Sequence, residues 1–96
     1  MMAPISIPID GILDLHTFDP RELPDLLEDY LEACREKNVL NVRIIHGKGS
    51  GMQKARVRSL LLKNPLVREF KDAPPQAGGW GATVVALIPL TLPETE

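Results

Sequence analysis

The sequence predicts an α+β fold, a two-layer α/β sandwich of βαβαββ order in which two helices cover a mixed four-stranded sheet. Three observations carry this. Strand-length segments stand at residues 11–16, 42–45, 67–71 and 82–88, and two segments of helical periodicity separate the first three of them. A chain of 96 residues, 44% of them hydrophobic, makes one domain with a single core, which fits only between two layers. A strand, a crossover helix and a second strand form a right-handed unit with parallel strands, whereas the last two strands have no helix between them and pair as a hairpin.

Residues 1–11, with Pro4 and Pro8, read as an extended lead-in to a domain spanning 12–90, and residues 91–96 as a tail. Gly11 to His16 is the first strand. Asp19-Pro20-Arg21-Glu22 opens the first helix: Asp19 can cap, Pro20 suits the first helical position, and Glu22 stands where a capping box wants a carboxylate. Leu23, Leu26, Leu27, Tyr30, Leu31 and Cys34 then mark one apolar stripe, with Pro24 making the first turn irregular and Lys37-Asn38 closing the helix. Val42 to Ile45 is the second strand. The helix after Gly51 buries Val57, Leu60 and Leu61 together with Met52, turns Lys54, Arg56 and Arg58 to solvent, and stops at Asn64-Pro65. Val67 to Lys71 is the third strand, with Val67, Glu69 and Lys71 on one side and Arg68 and Phe70 on the other. Asp72 to Gly81 is a loop, and Ala82 to Ile88 is the last strand.

Composition narrows the functional classes. No apolar run approaches a membrane span, and residues 1–10 carry no basic, apolar leader pattern, so a cytoplasmic protein away from membranes is expected. The single cysteine, Cys34, precludes an internal disulfide and falls on the buried stripe as a structural thiol. The formal net charge of −2 conceals a division: nine of the thirteen acids lie between Asp10 and Glu36, while Lys37 to Arg68 contains eight basic residues and no acid. A basic half of this kind suits a polyanion; it equally suits a solvated face beside an acidic neighbour.

The chemistry concentrates where the second strand runs into His46-Gly47-Lys48-Gly49-Ser50-Gly51 and a helix begins. A Gly-rich turn at a helix N-terminus offers backbone N–H groups and the positive end of the helix dipole to an anion, most often phosphate. Lys48 adds a full charge. Parallel strands end on one sheet edge, so His16 and His46, the only histidines, come to the same edge with Asp14 beside the first. Asp14 alternates with Leu13 and Leu15 and faces away from them, either as a partner for a histidine or loop N–H or as a strand-end cap. Gly79-Trp80-Gly81 sets the only tryptophan in a Gly-rich loop, where it either stacks on a base or closes over the sheet edge. The spacing matches neither a P-loop nor a dinucleotide fingerprint, and no zinc-spaced ligand cluster is present.

Leu13-Asp14-Leu15-His16, Ile45-His46-Gly47-Lys48-Gly49-Ser50-Gly51 and Gly78-Gly79-Trp80-Gly81-Ala82-Thr83-Val84-Val85, in this order, resemble the three motifs of the Smr (small MutS-related) domain family. One position departs: Thr17 stands where the family usually has Gly. The resemblance implies the βαβαββ sandwich, DNA or RNA binding, and in many members a nicking endonuclease or endoribonuclease activity, with links to DNA repair and recombination. On that reading His16, His46 and Asp14 are catalytic. Gly47, Lys48, Gly49, Ser50, Gly51, Lys54, Arg58, Gly79, Trp80 and Gly81 contact nucleic acid. No cofactor is needed if RNA is cut, whereas a divalent cation held partly by Asp14 enters if DNA is the substrate. The alternatives are a DNA- or RNA-binding module without chemistry and a protein-interaction domain that uses the acidic helix.

Overall fold

The computed structural model describes residues 8–49 and 51–89, so the lead-in before Pro8, Ser50 of the Gly-rich turn, and the tail from Leu90 onward lie outside the described residues. The elements are β1 (Ile12–Asp14), α1 (Leu23–Glu36), β2 (Asn41–Ile45), α2 (Met52–Lys63), β3 (Val67–Asp72) and β4 (Ala82–Leu87), with 3-10 turns at Pro20–Glu22, Pro75–Ala77 and Gly79–Gly81. β1 and β2 are parallel, and β4 runs antiparallel to both β2 and β3, giving the sheet order β1-β2-β4-β3. The chain's last described strand therefore sits inside the sheet. It pairs with the strand that leads into the Gly-rich turn, and this places Gly79–Gly81 against that turn.

Both helices cover one face. Leu23, Leu27, Leu31 and Cys34 of α1 and Val57 and Leu61 of α2 bury against Leu13, Val42, Ile44, Val85 and Leu87. The alternation of the strands accounts for this: odd residues of β1, even residues of β2 and odd residues from Thr83 onward point to the helices. The opposite face carries Ile12, Asp14, Arg43 and Val84. Arg43 donates from a guanidinium N–H to the Ala77 carbonyl at 3.3 Å, tying that face to the loop before β4.

Most local signals act as expected; the exceptions concern the start of α1, the exposure of Met52, and the pairing and length of β3. Asp19 caps the 3-10 turn by accepting from the Arg21 N–H at 2.8 Å, and α1 starts one turn later, at Leu23, because Pro24 has no N–H to donate and fits only a first turn. Asn38 closes the helix in the left-handed region, at φ 61°, and the Val39 N–H reaches back to the Cys34 carbonyl at 2.8 Å. Met52 is 67% exposed instead of buried. At about 100° per residue it lies roughly 140° around α2 from Val57, off the core stripe. In β3 the expected simple alternation fails because the pairing shifts between Val67 and Glu69; the bulge lets Val67 and Phe70 pack toward the core together. β3 also extends to Asp72, which is paired with Thr83, so Asp72 belongs to the sheet and not to the loop.

Tyr30 is fully buried, and its hydroxyl accepts the Gly11 N–H at 3.1 Å, joining the middle of α1 to the start of β1. Gly11 is in the left-handed region at φ +88°, with only 3.0 Å between an added Cβ and the Asn41 carbonyl oxygen. Tyr30→Phe should leave a buried N–H unpaired and cost about 1–3 kcal/mol in urea unfolding. Burial pushes the Tyr30 phenol up to about 12. A raised folded-state value means that this contribution is intact below the unfolded value near 10 and is lost as pH rises through 12. The alkaline loss of stability in that window should shrink in Tyr30→Phe; an identical pH profile would show that the phenol is not the group responsible.

Candidate functional site

The site is built where β1 and β2 end. The Leu15 N–H donates to the Ile45 carbonyl at 3.0 Å, so the two strand ends are in step and the residues after them emerge side by side. On the β1 side, the Asp14 carboxylate accepts from the His16 backbone N–H at 3.1 Å and meets the ring Nδ1 at 3.0 Å. Hydrogen bonding from His16 holds the Asp14 carboxyl below the usual carboxylate range. The carboxylate is an acceptor at Nδ1, which leaves Nε2 directed away from it on a side chain that is 76% exposed. Asp14 thus serves as the partner of a histidine, one of the two roles its alternation allowed. Phe18 N–H donates to the Leu15 carbonyl at 3.0 Å, so His16 and Thr17 form the middle of a tight turn. Thr17 keeps a negative φ there, since Asn38 is the only non-glycine residue with positive φ among the described residues. Threonine therefore fits this turn without strain, and the departure from the family's Gly leaves the His16–Asp14 geometry in place.

On the β2 side His46 is held very differently. Its Nδ1 lies 3.0 Å from the Gly47 carbonyl and its Nε2 lies 2.8 Å from Thr83 Oγ1. A carbonyl only accepts, so Nδ1 carries the proton and Nε2 accepts from the Thr83 hydroxyl. Burial is the main cause that lowers the His46 pKa below 6.5, and the charges of Lys54 and Arg58 act in the same direction. His46 is accordingly a neutral ring with both nitrogens engaged. The strand ends bring the two histidines to one edge, but His46 faces the helix layer beside Thr83, whereas His16 turns with Asp14 to the opposite side.

The Gly-rich turn lies directly on the loop before β4. The Gly81 carbonyl accepts from both the His46 N–H, at 3.1 Å, and the Gly47 N–H, at 2.8 Å. A Cβ on Gly81 would stand 3.1 Å from Lys48 Cγ, a tight approach that would push the Lys48 side chain aside. Gly47, Gly49 and Gly51 all have positive φ, and Gly51 opens α2 with no side-chain cap and no acid in the first turn. The N-terminal N–H groups of α2 thus lie at a hollow of about 380 Å³, lined by His46, Lys48, Gly49, Gln53 and Arg56 and closed on one side by Pro20. This is a cradle for an anion.

Lys54 and Arg58 do not project freely, as their spacing suggested. Asp72 accepts from both, at 2.8 and 2.9 Å, and the Lys54 side chain is only 18% exposed. Lys54 Nζ also sits 5.2 Å from the centre of the Trp80 ring, and the Arg58 guanidinium lies 5.1 Å from that of Phe70. Hydrogen bonding to Lys54 holds the Asp72 carboxyl below its ordinary value. Trp80 is 45% exposed, one face taken by Lys54, so it is neither a free ring nor a closed lid. Gly79 and Gly81 flank it in the turn that meets Lys48. Sequence reasoning missed Thr83, Asp72, Gln53 and Arg56 as parts of the site. For Thr83 a signal existed: it is a polar residue on the buried face of the last strand. For Asp72 none did, because its pairing with α2 depends on strand order. Among the described residues no three His, Cys, Asp or Glu side chains converge as metal ligands, and no helix is long and apolar enough to cross a membrane.

The Smr domain family matches residues 13–88. The crystal structure of the Smr domain of Thermus thermophilus MutS2 superimposes with a TM-score of 0.77 at 37% identity, covering 82% of this chain and 99% of that one. That of YdaL, a stand-alone small MutS-related protein from Escherichia coli, gives 0.75 at 28% identity, covering 83% and 66%. Endonuclease MutS2 of Thermus thermophilus is 41% identical over 63 residues, 66% of this chain and 8% of that protein. Ribosome rescue factor SmrB of Shewanella baltica is 36% identical over 78 residues, 81% of this chain and 44% of that protein. The chain thus spans less than half the length of these two relatives.

A depressed folded-state pKa at His46 makes the ring's contribution to stability complete above 6.5 and progressively lost as pH falls toward the lowered value. NMR should find the His46 ring neutral, with the proton on Nδ1, at pH 6.5. Thr83→Val should destabilise the fold by roughly 1–3 kcal/mol, because Nε2 is left buried without a donor. A His46 ring that is half protonated at or above pH 6.5 would contradict this arrangement.

Proposed function

The chain belongs to the Smr domain family, and from this membership and the site geometry we propose that it binds nucleic acid at the strand-end edge and cleaves its phosphodiester backbone there as an endonuclease. The observation that carries the chemical part is the Asp14–His16 pair. A carboxylate fixes the ring through Nδ1 and leaves an exposed Nε2 at the strand-end edge that also carries the anion cradle on its helix side. The family relatives named an endonuclease and a ribosome rescue factor support nucleic acid as the partner. His16 is the proton-transfer residue, Asp14 orients it, and Lys48 with the N-terminal N–H groups of α2 holds the phosphate. His46, whose nitrogens are both engaged, is a positioning residue that fixes the Gly47 turn. If RNA is the substrate, His16 Nε2 takes the 2′-hydroxyl proton as O2′ bonds to phosphorus. The P–O5′ bond then breaks, and O5′ leaves with a proton from water. If DNA is the substrate, water attacks, and a divalent cation held partly by Asp14 would activate it. A role in repair, recombination or RNA processing would follow from which substrate is cut.

Highly purified protein should cleave matched RNA and DNA substrates at measurably different rates, with and without chelator. His16→Ala should lower kcat by about 10²–10⁴-fold with affinity nearly unchanged, and Asp14→Asn should move kcat the same way by less. His46→Ala should weaken binding and stability together. If His16→Ala cleaves at the parent rate, the catalytic assignment fails and the domain is a binding module. Binding should also show a salt slope set by the unpaired cations. Replacing Lys48 and Arg56 together should flatten it by about 1.4–1.8, at 0.7–0.9 per phosphate contact, whereas replacing Lys54 and Arg58, which share Asp72 as an ion-pair partner, should flatten it less.

A further inference from the structure

The anion cradle is one end of a longer trough. The hollow at the Gly-rich turn shares Met52 and Arg56 with a second hollow of about 450 Å³ along α2. That hollow shares Pro24 and Leu60 with a third of about 200 Å³, which ends at Lys63 and Asn64. The trough therefore runs the length of α2 and crosses the first two turns of α1. Its walls differ in charge. On the α2 side stand Lys48, Arg56 and Lys63, all exposed, and none of the three is in an ion pair among the described residues. On the α1 side stands Glu28. The floor between them is apolar, with Pro24 and Leu60.

We propose that this trough is an extended binding subsite for single-stranded RNA continuing away from the cleavage position, an inference that rests on the nucleic-acid reading above. The cationic wall follows the phosphates: Arg56 and Lys63 lie seven residues apart on α2, two turns and about 10 Å, within the reach of successive phosphates on an extended strand. The apolar floor receives bases, which a duplex keeps stacked inside. The acidic wall repels phosphate and so fixes which side the backbone takes. Glu28 accepts from 2′-hydroxyl and exocyclic amino groups, which favours RNA over DNA of the same sequence. The polarity of the trough thus sets strand orientation, and its length makes affinity depend on how many nucleotides lie beyond the cradle.

The test is fluorescence anisotropy on the full chain with 5′-labelled oligouridylates of two, four and eight nucleotides, the eight-nucleotide deoxy analogue, and an eight-base-pair RNA duplex. Affinity should rise at least tenfold from two to eight nucleotides, and the single strand should bind more tightly than the duplex or the deoxy strand. Lys63→Glu and Ser59→Glu, both on exposed α2 positions, should each lower eight-nucleotide affinity at least fivefold, and Lys63→Ala should flatten its salt slope by about 0.7. Lys71→Ala, on the other face of the sheet, is the control for net charge and should leave affinity within twofold. Circular dichroism and the urea midpoint establish that each variant folds. If eight-nucleotide RNA binds but the Lys63 and Ser59 variants match the parent, or if duplex or deoxy strand binds equally well, the trough assignment is wrong while the cradle stands. If no nucleic acid of any length binds, the underlying reading itself fails.

Discussion

One backbone carbonyl organises the site. Gly81 accepts two N–H groups, from His46 and Gly47, and its missing Cβ lets Lys48 lie against it. This contact locks the turn after β2 onto the loop before β4. It works only because β4 is inserted between β2 and β3. Thr83, two residues on, then meets His46 Nε2, and Asp72, opposite Thr83 on β3, meets Lys54 and Arg58 of α2. Strand order, glycine clearance and three side-chain contacts therefore form one connected structure, and the shape of the anion cradle depends on all of them.

The electrostatics follow from the same arrangement. A strongly basic segment would spread its charge over a broad face if its cations were all free. Here Asp72 pairs with two of them and holds Lys54 over Trp80, so the unpaired charge of the α2 side concentrates at Lys48, Arg56 and Lys63. Exposed ion pairs contribute little to stability, roughly 0–1 kcal/mol each, so the effect of Asp72 is chiefly on where positive charge remains available. The two histidines divide in a parallel way. One is half-buried, neutral and doubly bonded; the other is exposed, with one nitrogen held by a carboxylate.

Much of the fold was legible in the sequence because the signals are local. The apolar stripe of α1, the Asp19-Pro20 start, the Asn38 close and the parallel pairing implied by a crossover helix each depend on neighbours along the chain. The misplacement of Met52 arose at the end of a helix, where a residue can satisfy an apolar pattern by type while standing off its face. The bulge in β3 escaped because a register shift is set by the partner strand, which the sequence of β3 does not contain.

For the site, the sequence by itself determined that two histidines, an acid and a Gly-rich turn with a lysine meet at one sheet edge, because parallel strands must end together. It determined too that the turn opens a helix and presents donors to an anion. Only the tertiary structure decided which histidine is free and which is bound, since that depends on whether a hydroxyl from β4 and a carboxylate two residues away lie within hydrogen-bond reach. It alone decided that Lys54 and Arg58 are ion-paired, because Asp72 reaches them from a strand lying beyond β4 in the sheet. Residue type and spacing specify which groups a chain carries and which side of an element they take. Whether a group is available for chemistry depends on its three-dimensional neighbours, and those follow from strand order and packing.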